Sequence, residues 1–165
     1  YARVVTTKEE VDANQVINDA LQILEEALRN RSVEVERRFG DLPPVAMEQA
    51  RLLQIFINLI KNAYEAMEAP EIAEKRLTIT TTVEEEGKRV VVSVKDTGVG
   101  FEPQMAERLF RFGFTTKASG SGFGLHSCAN YLLANDGTIT ARSDGPGQGA
   151  EFVVSLPAAR PAEDE

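Results

Sequence analysis

Residues 96–125 read DTGVGFEPQMAERLFRFGFTTKASGSGFGL, a glycine-containing stretch between a strongly apolar strand pattern and an apolar, helix-like run. Its last six residues, GSGFGL (120–125), place three glycines at alternate positions directly before the predicted helix. Each glycine costs about 0.5–1 kcal/mol of extra conformational entropy on folding, so such a loop indicates a close approach of the backbone to another group. The beginning of a helix favours an anion, and phosphate is the first ligand expected. Leu125 stands where the dinucleotide fingerprint needs glycine, and the Lys-Ser/Thr pair of a P-loop is missing.

The composition is that of one ordinary globular domain. The chain has 165 residues, of which 42% are hydrophobic and 27% charged. A net charge of −8 argues against a nucleic-acid binder and requires local donors and a metal to hold any polyphosphate. The single cysteine, Cys128, excludes an intrachain disulfide framework. No signal peptide is visible, no apolar run approaches the ~20 residues of a membrane span, and the start without methionine reads as a cut inside a longer protein.

The periodicity of apolar residues predicts an alternation of helices and strands. Helices are expected over 13–29 with Asp12 as N-cap, over 47–68 and 122–134, and a short one from Pro103; strands are expected over 32–39, 76–84, 89–96, 138–144 and 150–157. On the first helix, the apolar side is predicted to hold Val16, Ala20, Ile23, Leu24 and Ala27. We expect an α+β fold, a two-layer sandwich in which about three helices cover one face of a mixed, mostly antiparallel sheet. A loop as long as 101–121 is usually functional.

The helix over 47–68 carries two stripes. The first is predicted to face the sheet: Leu52, Phe56, Leu59, Ala63 and Met67. The second consists of Asn58, Asn62 and Glu65, spaced by four and three residues. A solvated polar face is the ordinary interpretation of such a stripe. However, asparagine is a poor helix former, and two on one stripe indicate amide oxygens kept for a ligand such as the phosphate-bound magnesium ion.

Three further side chains are candidates on the stretch quoted above. Asp96 ends an apolar strand, and it is either a turn-forming aspartate or an acceptor for an exocyclic amine in a pocket whose glycines admit a flat ring. Thr97 is in a position to assist Asp96 through a water. Lys117 is either a solvated charge or a cation that closes onto a terminal phosphate.

Four motifs together resemble the ATP-binding domain of sensor histidine kinases: NLIKNAYEAM (58–67), DTGVGF (96–101), LFRFGFTTK (109–117) and GSGFGL (120–125). This domain belongs to the superfamily of type II topoisomerases, ninety-kilodalton heat-shock chaperones and mismatch-repair ATPases. The resemblance implies the Bergerat fold over residues 1–157, with a disordered tail at 158–165 and an ATP lid at about 101–121. The resemblance also implies that the histidine-bearing dimerisation helices and the sensor domain are absent from this chain.

The resemblance also implies the ligands and the residues that bind them. ATP and Mg²⁺ are the expected cofactors, with Asn62 on the metal, Asp96 on the adenine amino group and the glycines 120, 122 and 124 presenting backbone N–H groups to the phosphates. Asn58 and Lys117 are the expected catalytic residues, and the whole implied site is Asn58, Asn62, Asp96, Thr97, Gly98, Gly100, Lys117, Gly120, Gly122, Phe123, Gly124 and Leu125.

The implied reaction is transfer of the γ-phosphoryl group to a histidine on the dimerisation helices of a two-component sensor kinase. The expected partners are that histidine-bearing domain, in a homodimeric parent, and a response regulator, with no nucleic acid and no direct membrane contact. The location is cytoplasmic, in a parent that is either soluble or membrane-anchored. The isolated chain is not expected to phosphorylate itself.

Two departures from the family pattern bear on the reaction. Hydrolysing branches of the superfamily have a glutamate where this chain has Asn58, which favours phosphoryl transfer over hydrolysis. Glu65 stands where many relatives have a basic residue, a charge that Lys61 or Lys117 would have to supply.

His126 lacks the acidic neighbour of a phosphoacceptor and is expected to make a helix-start or packing contact. An ATPase-type switch, an anti-sigma-type serine kinase and a non-catalytic nucleotide sensor stay open as alternatives.

Overall fold

The computed structural model describes residues 8–111 and 123–159, apart from the side chain of Phe123. Along the chain the elements are β1 (Glu9–Val11), α1 (Ala13–Ile23), α2 (Glu25–Asn30), β2 (Glu34–Phe39), β3 (Val45–Met47), α3 (Gln49–Ala66), β4 (Arg76–Glu84), β5 (Arg89–Asp96), a 3₁₀ helix (Pro103–Phe110), α4 (Phe123–Ala134), β6 (Thr138–Arg142) and β7 (Ala150–Pro157). Within these ranges no helix combines the length and the apolar character needed to cross a bilayer.

The main sheet has five strands in the order β2-β4-β5-β7-β6. β2 runs parallel to β4, and the other three neighbouring pairs are antiparallel. β1 and β3 form a separate antiparallel pair. The sheet is therefore mixed and mostly antiparallel, as predicted from the sequence.

One face of the sheet is packed against the helices. Burial alternates residue by residue along the paired parts of β4, β5 and β7, as the two-residue period of a strand requires. The largest fully buried side chains come from both layers: Ile17, Leu52, Phe56, Leu59, Ile60 and Leu132 from helices, and Leu77, Ile79 and Leu156 from strands. This arrangement is the predicted two-layer sandwich.

The central helix α3 lies against the sheet through its predicted apolar stripe. All five members of that stripe are buried: Leu52, Phe56, Leu59, Ala63 and Met67. The helix begins at Gln49 and not at residue 47, because Val45–Met47 pairs with β1 as a short strand. Three residues are too few to reveal a period of two in the sequence, so β1 and β3 were not predicted.

The predicted helix over 13–29 is divided in two. Asp12 caps its beginning as predicted, with its side chain accepting N–H groups from the first turn at 3.0 and 3.3 Å. Leu24, at the junction of α1 and α2, has ψ of 11°, which interrupts the helical repeat. Consequently Ile23, assigned to the apolar side, is 59% exposed, whereas Leu28 of the second helix is buried. The assignment of Ile23 is wrong for this reason.

The chain past β7 is attached to the body of the domain. Ala158 pairs with Val45, its N–H donates to the Lys88 carbonyl at 3.0 Å, and the Ala159 N–H donates to the Pro44 carbonyl at 2.8 Å. The first two residues of the segment expected to be a disordered tail thus bond to β3 and to the β4–β5 turn. Residues 160–165 lie outside the described part of the chain.

Candidate functional site

Three of the four sequence motifs meet around α3. At its C-terminal end, the Ala66 carbonyl accepts the N–H of Val99 at 2.9 Å, which holds the loop after β5 against the helix. In its middle, the Asn58 side chain lies against the first turn of α4, because a Cβ added at Gly124 would stand 3.4 Å from Asn58 Nδ2. The Asp96 loop and the start of α4 therefore lie along the same helix.

Asp96 is a buried ionisable residue of the candidate site. It is 3% exposed and ends β5, with Leu77 of β4 and Ala150 of β7 opposite it in the sheet. Its Oδ1 accepts the N–H of Gly98 at 2.8 Å, which fixes the carboxylate relative to the loop that follows. An ionised carboxylate has about four lone-pair positions for hydrogen bonds, so a carboxylate held in this way is suited to accept from a donor of a ligand.

Two glycines of the Asp96 loop allow close packing inside the protein. A Cβ at Gly98 would stand 2.5 Å from the Ala66 carbonyl oxygen. Gly100 has φ of +65°, and a Cβ there would stand 2.5 Å from the Gly145 carbonyl oxygen and 2.7 Å from Ser143 Oγ. Sequence reasoning gave these glycines only a role towards a flat ring; the contact with α3 and with the β6–β7 connection was missed.

Ser143 clamps the Asp96 loop to the β6–β7 connection. It is 6% exposed, and its Oγ accepts the N–H of Phe101 at 3.1 Å while donating to the Gly149 carbonyl at 2.6 Å. Two backbone bonds strengthen this clamp: the N–H of residue 147 donates to the Val99 carbonyl at 2.6 Å, and that of Gly149 donates to the carbonyl of residue 98 at 3.0 Å. The sequence predicted a turn at GPGQG, but no sequence pattern indicated a role for Ser143.

The Thr97 hydroxyl is bonded to the segment before β4. It donates to the Glu74 carbonyl at 2.6 Å and accepts the N–H of Arg76 at 3.0 Å. A hydroxyl has one proton to donate, and here that proton goes to the protein backbone. Thr97 was predicted to assist Asp96 through a water. Because its proton is donated to the backbone, the Thr97 hydroxyl could only accept a hydrogen bond from such a water.

The polar stripe of α3 is half-buried at Asn58, Asn62 and Glu65. The amide of Asn58 is oriented by two neighbours: Gln54 Nε2 donates to its Oδ1 at 3.1 Å, and its Nδ2 donates to Cys128 Sγ of α4 at 3.6 Å. Cys128 is the buried core thiol predicted from the sequence, 3% exposed, and burial raises the pKa of that thiol. Asn62 lies one turn further along α3 towards Ala66.

Helix α4 contacts the start of α3 and the end of the 3₁₀ helix. Near its C-terminal half, the Tyr131 hydroxyl accepts the N–H of Glu48 at 3.1 Å, and the Arg51 guanidinium lies 4.7 Å from the centre of the Tyr131 ring. At its beginning, His126 Nδ1 lies 3.1 Å from the carbonyl oxygen of Phe110, the last residue of the 3₁₀ helix. This is the helix-start contact expected for His126.

Part of the predicted site lies outside the described residues: Lys117, Gly120 and Gly122, together with the side chain of Phe123. Of the predicted lid over 101–121, the structure describes residues up to 111, including the short helix predicted from Pro103. Gly124 and Leu125 belong to the first turn of α4 and are half-buried. Across residues 8–111 and 123–159, no three His, Cys, Asp or Glu side chains form a metal-binding cluster.

An open groove of about 610 Å³ lies away from these residues. It is formed by α1, α2, β2 and the residue before β2, and its lining is Asn18, Leu21, Gln22, Glu25, Leu28, Arg29, Val33, Val35 and Arg37. None of the residues predicted to bind a nucleotide is among them, so the groove and the candidate site are separate features.

Comparison with known proteins places these features in a family. Residues 47–160 match the family described as histidine kinase-, DNA gyrase B-, and HSP90-like ATPase. The chain is 38% identical over 156 residues to the two-component sensor PprA of Pseudomonas aeruginosa, covering 92% of this chain and 17% of that protein. The sensor histidine kinases ZraS of Escherichia coli and of Klebsiella oxytoca are similar as well, and the chain spans 30% and 32% of their lengths.

Solved structures agree with this assignment. The catalytic domain of the histidine kinase ThkA superposes with a TM-score of 0.80 at 26% identity, over 92% of this chain and 96% of that one. Full-length ShkA in complex with AMPPNP gives a TM-score of 0.80 at 25% identity, over 97% of this chain and 33% of that one.

Proposed function

Because the chain belongs to the family of histidine kinase-, DNA gyrase B-, and HSP90-like ATPases, we propose that it binds Mg-ATP and transfers the γ-phosphoryl group to a histidine. Within that family it is an ATP-binding domain of the sensor histidine kinase type, with the Bergerat fold. The histidine acceptor would lie on the dimerisation helices of the parent kinase. Little covalent chemistry then falls to this domain, which contributes positioning and charge stabilisation.

One observation carries the proposal: α3, which carries the polar stripe of Asn58 and Asn62, is bonded at its C-terminal end to the loop that follows the buried carboxylate of Asp96. The bond from the Val99 N–H to the Ala66 carbonyl joins the two motifs, and the bond from the Gly98 N–H to Asp96 Oδ1 sets the carboxylate on that loop. An adenine whose exocyclic amine donates to Asp96 would extend its phosphates along α3. Guanine has a carbonyl oxygen in place of that amine, so two acceptors would face each other in a buried pocket.

Metal and phosphates would be held by amide oxygens and backbone N–H groups. The Asn62 amide oxygen is a hard neutral ligand, which fits a magnesium ion coordinated mostly by phosphate oxygens and water. Such an ion, when bound, would supply positive charge that offsets the negative charge of the phosphates. The first turn of α4, with Gly124 and Leu125, presents backbone N–H groups, and the glycines 120 and 122 with Lys117 would complete the contacts to the terminal phosphate.

Asn58 favours transfer to histidine over hydrolysis. An amide cannot take a proton from water, and here its oxygen and nitrogen are engaged by Gln54 and Cys128. Its catalytic role would be to hold its part of α3 against the start of α4 and to orient the phosphates. An ATPase-type switch would need a general base at that position, and an anti-sigma-type serine kinase would differ in the amino acid that carries the phosphate.

The proposed partners are those of a sensor histidine kinase. We propose that the domain works with the histidine-bearing dimerisation domain of a homodimeric parent and that a response regulator receives the phosphoryl group, in the cytoplasm. In support, the relatives are named two-component sensors or sensor kinases, and this chain matches only a small part of each. An unrelated nucleic-acid role is disfavoured by the net charge of −8.

The decisive experiment combines the chain with the dimerisation helices of its parent and with radiolabelled Mg-ATP. We expect slow labelling of the helices in trans, because the tether that raises the effective concentration is cut, and a product that is labile in acid and stable in base. The chain alone should neither label itself nor release phosphate. Asp96→Asn should abolish labelling, whereas the exposed control Asp41→Asn should not. Phosphate on serine, or rapid release of free phosphate, would contradict the proposal.

A further inference from the structure

We propose that His126 is a positioning residue for the phosphates: it fixes the first turn of α4 to the end of the 3₁₀ helix and thereby sets where the backbone N–H groups of that turn lie. This inference rests on the proposed function. It adds to that function a residue of α4 that is not among those predicted to bind the nucleotide.

Both ring nitrogens of His126 have polar neighbours, and these define which nitrogen carries the proton. Nδ1 lies 3.1 Å from the Phe110 carbonyl oxygen, which can only accept, so the proton is on Nδ1. Nε2 lies 3.1 Å from Nδ2 of Asn130, one turn further along α4, and accepts from that amide. Asn130 therefore supports the tautomer that donates to Phe110, as an outer partner fixes the orientation of a histidine in many sites.

The group that receives this hydrogen bond is itself well anchored. Phe110 stacks edge-on against Phe152 of β7, with ring centres 6.2 Å apart and planes at 82°. Leu109 beside it is buried. The carbonyl that His126 contacts is thus fixed relative to the main sheet. The hydrogen bond from His126 to this carbonyl therefore restrains the first turn of α4 relative to the sheet as well.

The turn held in this way is the one assigned to the phosphates. Gly124 and Leu125 directly precede His126, and the space beside Gly124 is limited by the Asn58 amide. A first turn that meets the Asn58 amide at Gly124 and the Phe110 carbonyl at His126 has little freedom to shift. Loss of the His126 contact would release one of these two restraints and weaken binding of phosphates while leaving the adenine pocket intact.

Substitution of His126 by asparagine or by glutamine tests the contact made by Nδ1 separately from the contact made by Nε2. The amide nitrogen of Asn stands near the position of imidazole Nδ1, whereas that of Gln reaches towards Nε2. His126→Asn should therefore keep a donor for the Phe110 carbonyl, and His126→Gln should lose it. His126→Ala removes both contacts, and Ser127→Ala, at an exposed neighbouring position of α4, is the matched control.

The experiment measures the dissociation constants of ADP and adenosine by calorimetry for these four variants. We expect His126→Gln and His126→Ala to bind ADP about 3- to 10-fold more weakly, as the loss of one hydrogen bond allows. His126→Asn and Ser127→Ala should bind ADP like the wild type. Adenosine has no phosphate, so its affinity should be unchanged in all four, which also shows that each variant is folded.

Three results would overturn the inference: ADP binding by His126→Gln equal to that of the wild type, a His126→Asn variant as weak as His126→Ala, or an adenosine affinity that falls as far as that of ADP. Failure of the proposed function looks different. If its nucleotide-binding part fails, the unmodified chain binds neither ADP nor adenosine. If only the transfer to histidine fails, ADP still binds, and the four variants still test the role of His126.

Discussion

The contact between the Asp96 loop and α3 predicts that Gly98→Ala is one of the most damaging single-methyl additions in this domain. The new Cβ would stand 2.5 Å from the carbonyl oxygen of Ala66 and 2.8 Å from the Cβ of Ala66, and real Cβ atoms essentially never show such short distances. The oxygen cannot move aside freely, because it accepts the N–H of Val99 at 2.9 Å. Loop and helix would have to separate by at least about 0.5 Å to bring the closest contact to 3.0 Å.

The magnitude follows from two contributions. Overpacking a well-packed site by one methyl group costs about 1–3 kcal/mol. Weakening the bond from Val99 to Ala66 removes up to about 0.5–1.5 kcal/mol more. We therefore expect Gly98→Ala to lower the free energy of unfolding by about 2–4 kcal/mol, a large part of the about 5–15 kcal/mol by which domains are stable.

Gly87→Ala provides a matched control for this prediction. Gly87 lies in the β4–β5 turn with φ of +87°, and a Cβ there would have no neighbour within 4 Å. The left-handed conformation alone should cost about 1–2 kcal/mol. Urea unfolding of both variants checks the argument, with adenosine affinity as a second readout, since Asp96 Oδ1 is bonded to the N–H of the substituted residue. A Gly98→Ala variant as stable as the wild type, or more stable than Gly87→Ala, would refute the packing argument.

Three further predictions concern other parts of the site. Ser143→Ala should lower the free energy of unfolding by about 1–3 kcal/mol, because the Phe101 N–H and the Gly149 carbonyl lose a buried partner, which chemical denaturation would measure. Cys128 should react with a thiol reagent far more slowly in the native chain at pH 8 than in urea, since burial raises its pKa and limits access; equal rates would contradict its place in the core. Asn62→Ala should remove the magnesium dependence of ATP binding, seen by calorimetry with and without EDTA, while unfolding stays within about 1 kcal/mol of the wild type.

The elements that could be predicted are those whose apolar residues repeat with a regular period in the sequence. In the β4–β5 hairpin, apolar residues recur at every second position on both sides of a short charged turn, as Leu77 and Ile79 in β4 and Val90, Val92 and Val94 in β5. In α3, apolar residues repeat with the helical period. In both cases the pattern reflects which side of the element faces the core. For the same reason Asp96, at the end of an alternating strand, was correctly placed at the point where the sheet gives way to a loop.

What could not be predicted depends on contacts between segments distant in the sequence. The clamp at Ser143 joins residues more than forty positions apart, and a lone serine before a turn gives no sign of this. The need for glycine at position 98 comes from the carbonyl of Ala66, which a local pattern does not contain. The break at Leu24 is of the same kind, because the apolar residues on either side of it read as one continuous helix.

The parallel pairing of β2 with β4 has a consequence for how the chain folds. β4 and β5 are joined by a four-residue turn, whereas Phe39 at the end of β2 and Arg76 at the start of β4 are separated by β3 and the whole of α3. Closing a long segment loses more chain entropy than closing a hairpin, so contacts of high sequence separation form late. We expect the β4–β5 hairpin to be structured in the folding transition state and β2 to dock afterwards. Destabilising substitutions in β2 should accordingly accelerate unfolding and leave the refolding rate almost unchanged.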